Sequence, residues 1–400
     1  MSDSRAFDRA GRLNLHIFLS SIESETRLFK EARYTIDHGI FGRVVVLGTW
    51  AKGLKHSETT AYGLEIHRLP VLISRYGDHE LLRRFRLVRK LVAVLSLVQF
   101  LVLAVSRARQ LRPSHVSCHN VMLLPIAWMA ARLSGSRLAY VPHELETHRS
   151  GLGPVMQKLQ RMTERLFIPA ASQVLVVCEP IAQWYRNTYG LTNVHVVRNM
   201  PEREAVEIRT VPSGDFRTRF GIPDSATVFI YQGIFGKARG TDRLLDIFSR
   251  MDPDAGHLVL MGYGEGADQA EIDDCVARNR NIHYLPAVPR EWIISHTSGA
   301  DVGLLCVETT PLSYRYALPN KFFEYAHAGV PILVSDNFEL LAQIIADEDI
   351  GWSAPYHEIE GIILELTQTD LAPYRTRAQE FAAIAVWETD ARIFETVYGP

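Results

Sequence analysis

The residues with the clearest chemical potential lie between positions 319 and 331. Lys321 and Glu324 are three residues apart in a segment whose apolar residues have helical spacing, so both side chains can share one face of a short helix. A lysine there can bind phosphate, and a carboxylate can accept hydrogen bonds from sugar hydroxyl groups. The pair therefore suits a ligand that carries both phosphate and sugar.

The flanking segments predict where this helix lies. An apolar strand at 301–307 and a proline-containing loop precede it, Gly329 ends it, and Pro331 opens the next apolar strand. This order of strand, helix and strand predicts a parallel α/β sheet, in which ligands bind at the carboxyl ends of the strands. We therefore expect Lys321 and Glu324 in such a crevice. A helix whose lysine and glutamate are merely solvated is the simpler alternative.

A glycine-rich basic loop is the second candidate. The strand predicted at 227–232 leads into Gly233, Lys237, Arg239 and Gly240, and a helix begins directly after them. At such a junction backbone N–H groups, the positive helix end and mobile cations can converge on phosphate. The loop therefore predicts a phosphate cradle in the same half of the chain as the first motif.

The run Pro-Asn-Lys-Phe-Phe-Glu-Tyr-x-x-x-Gly-x-Pro, which begins at Pro319, resembles the nucleotide-sugar signature of glycosyltransferase family 4. Members of that family are retaining enzymes with the GT-B fold. The resemblance implies an α/β chain of two Rossmann-like domains facing across a cleft. The first domain would span 1–200 and the second 201–385, and a C-terminal helix at 386–400 would cross back to the first domain.

The same resemblance implies roles for individual residues. Glu324 would bind the ribose of the donor, and Lys321 and Arg239 would stabilise charge on the departing diphosphate. The remaining donor-binding residues would be Lys237, Gly233, Gly240, Asn320 and Gly264. Enzymes of this kind need no metal at the diphosphate, so neither a metal nor another cofactor is expected.

This chain departs from the family pattern in three places. Ile234 stands where an arginine usually follows the first glycine of the basic loop. Tyr316 stands eight positions before Glu324, where many members carry a second glutamate near the sugar. A glycine-rich loop that often precedes the first helix is missing, so the resemblance identifies neither the sugar itself nor the acceptor contacts of this loop.

The first half of the chain begins with a predicted βαβ unit, with strands at 13–20 and 44–47 around a helix at 23–39. Arg27 on this helix is expected either to reach the cleft or to be exposed. His143 follows another predicted strand, and a histidine at the matching place in the family faces the sugar and the acceptor. We therefore assign His143 to orientation of one of these groups, against the alternative of a histidine bonded only to backbone.

Residues 81–112 combine basic and apolar character. Arginines and a lysine lie on both sides of the apolar run 91–105, namely Arg83, Arg84, Arg86, Arg89, Lys90, Arg107, Arg109 and Arg112. Fifteen helical residues span about 22 Å, less than the ~30 Å hydrocarbon core, which argues against a transmembrane helix. A core helix with a basic edge and a helix lying on an anionic membrane both fit this pattern.

Composition sets the remaining limits. The chain has 400 residues, a net charge of −2 and four scattered cysteines. These values predict two or three domains, reduced thiols and no nucleic-acid partner. The polar segment 1–12 lacks the apolar stretch of a signal peptide, which favours a cytoplasmic location. Within the cytoplasm the protein could be free or bound to the inner face of the plasma membrane.

Two short patterns resemble metal sites but are not interpreted as such. His115 and His119 are four residues apart but fall in a predicted strand, and no third ligand is evident. The acidic residues 347–349 follow a helical stretch, where a solvated helix end is the simpler interpretation. The sequence therefore predicts no metal site.

Together these features predict a retaining glycosyltransferase. It would move a sugar from a nucleotide diphosphate sugar to a hydroxyl group of a lipid-linked glycan or surface polysaccharide. Two alternatives stay open at this point. One is a non-catalytic GT-B scaffold that binds nucleotide, and the other is a nucleotide-sugar epimerase or phosphorylase.

Overall fold

The computed structural model describes residues 11–23, 25–76, 85–149, 151–204, 215–308 and 311–399. Arg83, Arg84 and residues 205–214, where the two predicted domains join, lie outside the described residues. The chain forms two compact units. Unit 1 comprises 1–197 and 390–400, and unit 2 comprises 198–389.

Unit 1 is built on an eight-stranded sheet in the order β3-β4-β2-β1-β5-β6-β7-β8. All neighbouring strands are parallel except β3, which pairs antiparallel with β4. The strands are β1 (Leu13–Ile17), β2 (Arg43–Thr49), β3 (Ser57–Thr59), β4 (Leu64–Leu69), β5 (His115–Cys118), β6 (Arg137–Tyr140), β7 (Gln173–Val176) and β8 (Val194–Val196). The chain reverses direction across the sheet between β1 and β5, so the carboxyl ends of these two strands mark the place where such sheets bind ligands.

The helices of unit 1 cover the faces of this sheet. They are α1 (Thr26–Asp37), α2 (Leu72–Tyr76), α3 (Arg86–Leu111), α4 (Leu124–Ser134), α5 (Pro154–Phe167) and α6 (Glu179–Tyr189). The tail of the chain packs on the same unit, where the buried Tyr398 hydroxyl donates to Glu31 at 3.0 Å and the Tyr398 carbonyl accepts from Arg12 at 2.6 Å. These contacts place the last residues among the helices of unit 1.

The expected length of the basic apolar helix was wrong. Helix α3 has 26 residues and is about 39 Å long at the usual rise per residue, because the basic residues at both ends continue the helix instead of flanking it. Among the described helices, Leu87–Leu111 is long and apolar enough to cross a membrane. One face nevertheless packs inward, with Ser96, Phe100, Ala104 and Ala108 buried.

Unit 2 is built on a six-stranded parallel sheet in the order β11-β10-β9-β12-β13-β14. The strands are β9 (Thr227–Ile234), β10 (Gly256–Tyr263), β11 (Ile282–Pro286), β12 (Val302–Leu305), β13 (Ile332–Ser335) and β14 (Gly351–Ala354). Here the direction reverses between β9 and β12. Phe229, Phe248, Leu258 and Leu304 belong to the fully buried core beneath this point.

The helices of unit 2 include the predicted motif helix with its expected bounds. They are α7 (Phe216–Phe220), α8 (Thr241–Arg250), α9 (Ala267–Arg278), α10 (Ile293–Thr297), α11 (Leu312–Arg315), α12 (Asn320–His327), α13 (Glu339–Glu348), α14 (Ile359–Leu366) and α15 (Ala372–Ile384); α16 (Trp387–Ala391) crosses the boundary between units, and α17 (Ile393–Val397) lies in unit 1. Two short helices, α16 and α17, thus stand where one C-terminal helix at 386–400 was expected. The predicted α/β class with two parallel sheets is confirmed.

Candidate functional site

A cavity of about 500 Å³ opens at the carboxyl ends of β9 and β10 in unit 2. Five of the residues predicted to bind the donor line it together, namely Gly233, Arg239, Asn320, Lys321 and Glu324. Two separate segments, the basic loop and the motif helix α12, supply them. The cavity therefore joins the predicted phosphate cradle to the predicted sugar-binding carboxylate.

Helix α12 is fixed to the sheet by Tyr325. The buried Tyr325 hydroxyl accepts a hydrogen bond from the Gln232 N–H at 3.2 Å and donates to the Ile230 carbonyl at 3.3 Å. Its ring lies on Gly303 of β12, where an added Cβ would approach ring atoms to 2.5 Å. The glycine in the strand and the tyrosine in the helix together set the depth at which Glu324 enters the cavity.

Glu324 is held by a pair of side chains that the sequence did not single out. The Gln232 Nε2 group donates to the Glu324 carboxylate at 2.5 Å, and the Gln232 Oε1 atom accepts from the Thr297 hydroxyl at 2.8 Å. The ionised Glu324 carboxylate can only accept, so it fixes which end of the Gln232 amide faces it. The only sequence feature that could have identified Gln232 as a site residue is its place as a polar residue at the end of a buried strand. No sequence feature identified Thr297.

Lys321 lies against the aromatic ring of Tyr231, with its Nζ atom 4.0 Å from the ring centroid. Desolvation, followed by repulsion from Arg239, lowers the Lys321 pKa to about 7, although Glu324 acts in the opposite direction. Arg239 itself packs on Tyr314, 5.4 Å from the ring centroid. Repulsion between Lys321 and Arg239 and the desolvation of Lys321 both disfavour positive charge here. A bound anion offsets both, so the pair suits an anionic ligand.

The other residues predicted for the donor site do not line the cavity. Lys237 is exposed on the loop. Gly240 has φ +74°, and an added Cβ would lie 1.9 Å from the Cys306 carbonyl oxygen, so packing explains this glycine. At Gly264 an added Cβ would meet the Gln269 backbone at 2.8 Å. Ile234 lines the cavity at the position of the usual arginine, whereas Tyr316 lies outside the lining.

In unit 1, His143 ends a chain of buried hydrogen bonds. The Asn14 side-chain nitrogen is 3.0 Å from His16 Nε2, His16 Nδ1 is 2.8 Å from His119 Nε2, and His119 Nδ1 is 3.0 Å from His143 Nε2. We call Asn14, His16, His119 and His143 the histidine relay. Both ring nitrogens of His119 are thus occupied by other imidazoles.

The relay has a direction because an amide nitrogen can only donate. The Asn14 amide nitrogen faces His16 Nε2, and the Asn14 Oδ1 atom accepts from the Ser117 hydroxyl at 3.0 Å. His16 Nε2 must then accept, so His16 and His119 each donate through Nδ1, and His143 keeps its proton on Nδ1. Burial lowers the pKa of His16 and of His143 to about 3, so the relay is uncharged.

Arg27 is buried, contrary to the expected alternative of an exposed helix arginine. None of its three guanidinium nitrogens has a hydrogen-bond partner among the described residues. Burial lowers its pKa, with Glu31 acting in the opposite direction, and its charge in turn contributes to lowering the pKa values of His119 and His143. Arg27 is therefore a buried cation close enough to the histidine relay to influence it electrostatically.

Residues 31–200 match the family model described as a glycosyl transferase 4-like domain. A comparison with curated proteins finds no match. Within the residues that the structure describes, no group of three or more His, Cys, Asp or Glu side chains is arranged to hold a metal ion. The family match lies almost entirely within unit 1, so it is independent of the motif at 319–331 in unit 2.

Three solved structures illustrate the likeness of the whole chain. Sucrose-phosphate synthase from Thermosynechococcus elongatus is 14% identical with a TM-score of 0.73, over 97% of this chain and 98% of that chain. The HepE protein of Anabaena in complex with UDP-glucose is 14% identical with a TM-score of 0.65, over 96% and 98%. WaaG, a glycosyltransferase involved in lipopolysaccharide biosynthesis, is 12% identical with a TM-score of 0.65, over 97% and 100%.

These likenesses cover both units and agree in fold with the resemblance seen in the sequence. The expected fold and the expected enzyme class are confirmed. The chain carries a glycosyl transferase 4-like domain on a GT-B fold, and it is a glycosyltransferase.

Proposed function

We propose that this glycosyltransferase moves a sugar from a uridine diphosphate sugar to a hydroxyl group of a lipid-linked glycan or surface polysaccharide, with retention of anomeric configuration. The observation that carries the donor assignment is the meeting of Lys321, Arg239 and Glu324 in one cavity. The choice of uridine rests on the solved complexes of HepE with UDP and with UDP-glucose.

The residues of the cavity divide the work of the donor site. Lys321 and Arg239 stabilise the negative charge that develops on the diphosphate as the bond to the sugar breaks, which is commonly the largest contribution to such catalysis. Glu324 accepts hydrogen bonds from the ribose hydroxyls. Because these two cations supply the positive charge, the reaction proceeds without a metal ion or other cofactor.

His143 orients the sugar or the acceptor in this proposal. Its Nδ1–H donates to an oxygen of the substrate, since the relay leaves that nitrogen protonated. The cavity contains one carboxylate among its lining residues, Glu324, and a double displacement at the sugar would require a nucleophile in addition to the ribose ligand. Departure and attack on the same face of the sugar therefore fit the site best.

Calorimetric titration with UDP, GDP and ADP tests the donor assignment. UDP is expected to bind most tightly, and Glu324→Ala is expected to weaken UDP binding about tenfold to a hundredfold, because hydrogen bonds to a charged group contribute about 1.5–3 kcal/mol. Glu339→Ala, an exposed glutamate on α13, is the matched control and should bind UDP like the wild type. If none of the three nucleotides binds, the proposal is contradicted.

We further propose that α3 lies on the surface of an anionic membrane, at the inner face of the plasma membrane. Leu87, Leu91, Val94, Val98 and Val102 follow one side of this helix and are 52–81% exposed. Arg89 and Lys90 are exposed near its start. Because the opposite side packs on the core, the helix fits contact with lipid along its length better than passage through the bilayer.

Co-sedimentation with phosphatidylglycerol vesicles tests the membrane proposal. Val94→Gln/Val98→Gln is expected to weaken vesicle binding at least about tenfold, since two apolar side chains no longer leave water. Leu364→Gln/Ile384→Gln changes two exposed apolar residues of unit 2 and should leave binding unchanged. Equal binding of all three proteins would exclude α3 as the contact surface.

A further inference from the structure

Unit 1 contains a second cavity, of about 630 Å³, between α5 and α6. It is lined by His148, Arg161, Arg165, Pro169, Trp184, Thr188 and Tyr189. Its volume is within the range of about 300–1,000 Å³ common for sites that bind small molecules. None of these residues belongs to the donor cavity or to the histidine relay.

The charge of this cavity is positive and uncompensated. Arg161 and Arg165 are one helical turn apart on α5, and within the described part of the chain neither forms an ion pair with a carboxylate. Glu164 lies between them in sequence but points into the core. Its carboxylate accepts hydrogen bonds from the hydroxyls of Tyr140, Tyr185 and Tyr189 at 2.8–2.9 Å.

The hydrogen bond that holds Arg161 leaves the guanidinium charge in place. Arg161 donates to His148 Nε2 at 2.9 Å, so this nitrogen carries no proton, and Nδ1–H faces the Thr147 hydroxyl at 3.0 Å. Burial and then Arg161 lower the His148 pKa, which keeps the ring neutral. A neutral acceptor positions Arg161 without cancelling the charge that it presents to the cavity.

Aromatic rings form the opposite wall. Trp184 lies edge-on to His148, with centroids 5.2 Å apart, and edge-on to Tyr189 at 5.6 Å. Tyr189 is fixed by its hydrogen bond to Glu164. The wall is therefore rigid and offers apolar surface beside the two arginines.

We propose that this cavity binds the phosphate group of an organic phosphate ester. Two guanidinium groups can pair with the several oxygens and the double charge of a phosphate monoester, and the cavity leaves space for an organic part against Trp184. The exposed residues Val155, Leu159, Met162 and Leu166 follow one side of the same helix at spacings of four and three residues, which suits an ester with an attached lipid. The site does not depend on the nucleotide assignment in unit 2.

Calorimetry with two probes tests the proposal and separates the two sources of phosphate. The probes are glycerol 3-phosphate and the soluble short-chain lipid dihexanoyl phosphatidic acid. Arg161→Gln/Arg165→Gln is expected to weaken binding of the responsive probe on the order of a hundredfold, because two charge-assisted interactions are lost. Lys158→Gln/Arg132→Gln removes the same charge from exposed positions outside the cavity lining and should bind like the wild type.

Arg239→Gln shows whether the probe enters the donor cavity instead. Binding that survives Arg239→Gln and is lost in Arg161→Gln/Arg165→Gln supports the proposal. If both probes bind alike the ligand is a soluble ester, and if only the lipid binds the ligand is a lipid phosphate. Failure of both probes to bind, or binding that is lost only in Arg239→Gln, would overturn the proposal while leaving the UDP titration unaffected.

Discussion

Lys321→Met is expected to lower kcat by about a hundredfold to a thousandfold, the loss typical when one group that stabilises transition-state charge is removed. Lys321 lies in the donor cavity with Arg239, and its Nζ atom is 4.0 Å from the centroid of the Tyr231 ring. Its charge is therefore available to the departing diphosphate. Steady-state kinetics with a uridine diphosphate sugar measure the loss.

The lysine also predicts a pH dependence of UDP binding. The Lys321 pKa is about 7, and a bound diphosphate favours the charged form, so the pKa rises on binding. Above pH 7 binding must then take up a proton, and UDP affinity falls as pH rises between the two pKa values. Calorimetry in buffers of different ionisation enthalpy measures this proton uptake directly.

Two variants separate charge from proton uptake. Lys321→Arg keeps a positive charge that does not titrate in this range, so it should bind UDP without taking up a proton. Lys237→Met removes a lysine of the basic loop after β9 that lies outside the cavity lining. This variant should retain both kcat and proton uptake. Equal losses for Lys237→Met and Lys321→Met would refute the assignment of Lys321 to the diphosphate.

Asn14→Asp is expected to reverse the histidine relay and to lower kcat about tenfold to a hundredfold. A carboxylate accepts where the amide donated, so His16 must protonate Nε2, and His119 and His143 must follow. His143 would then present a bare Nδ1 in place of Nδ1–H. Nitrogen chemical shifts of the imidazoles report the tautomer of each ring.

The control for this variant is Asn193→Asp in the same unit. The Asn193 side chain donates to the carbonyls of Ala171 and Ser172 at 2.9 and 2.7 Å, so the substitution also costs stability but does not touch the histidines. It should lower the melting temperature while leaving kcat and the His143 tautomer unchanged. A normal kcat in Asn14→Asp with a reversed tautomer would show that His143 does not donate to the substrate.

The sequence predicted those parts of the site that depend on local order along the chain. Strand β9, the basic loop, and α12 between Pro319 and Gly329 follow from apolar runs and from proline and glycine at their ends, and they bring Arg239 and Lys321 into one cavity. The glycines were interpreted less well. Gly240 lies against the Cys306 carbonyl. The sequence alone does not show whether a glycine is required by such close packing of the backbone or by a bound phosphate.

Contacts between distant segments were not predictable. Strand β1 reads Leu-Asn-Leu-His-Ile, an alternation typical of a half-exposed strand, yet all five residues are buried. Its polar residues can be buried because His16 forms a hydrogen bond with His119, which directly follows β5 and is 103 positions away. Gln232 and Thr297 are likewise 65 positions apart. The length of α3 was missed because charges at helix ends were taken as its limits.

The most direct test of the donor site is a crystal structure of this glycosyltransferase with UDP. We expect the diphosphate to lie between Lys321 and Arg239 and the ribose hydroxyls to donate to the Glu324 carboxylate. UDP bound elsewhere, or bound in this cavity with its ribose turned away from Glu324, would contradict the assignment.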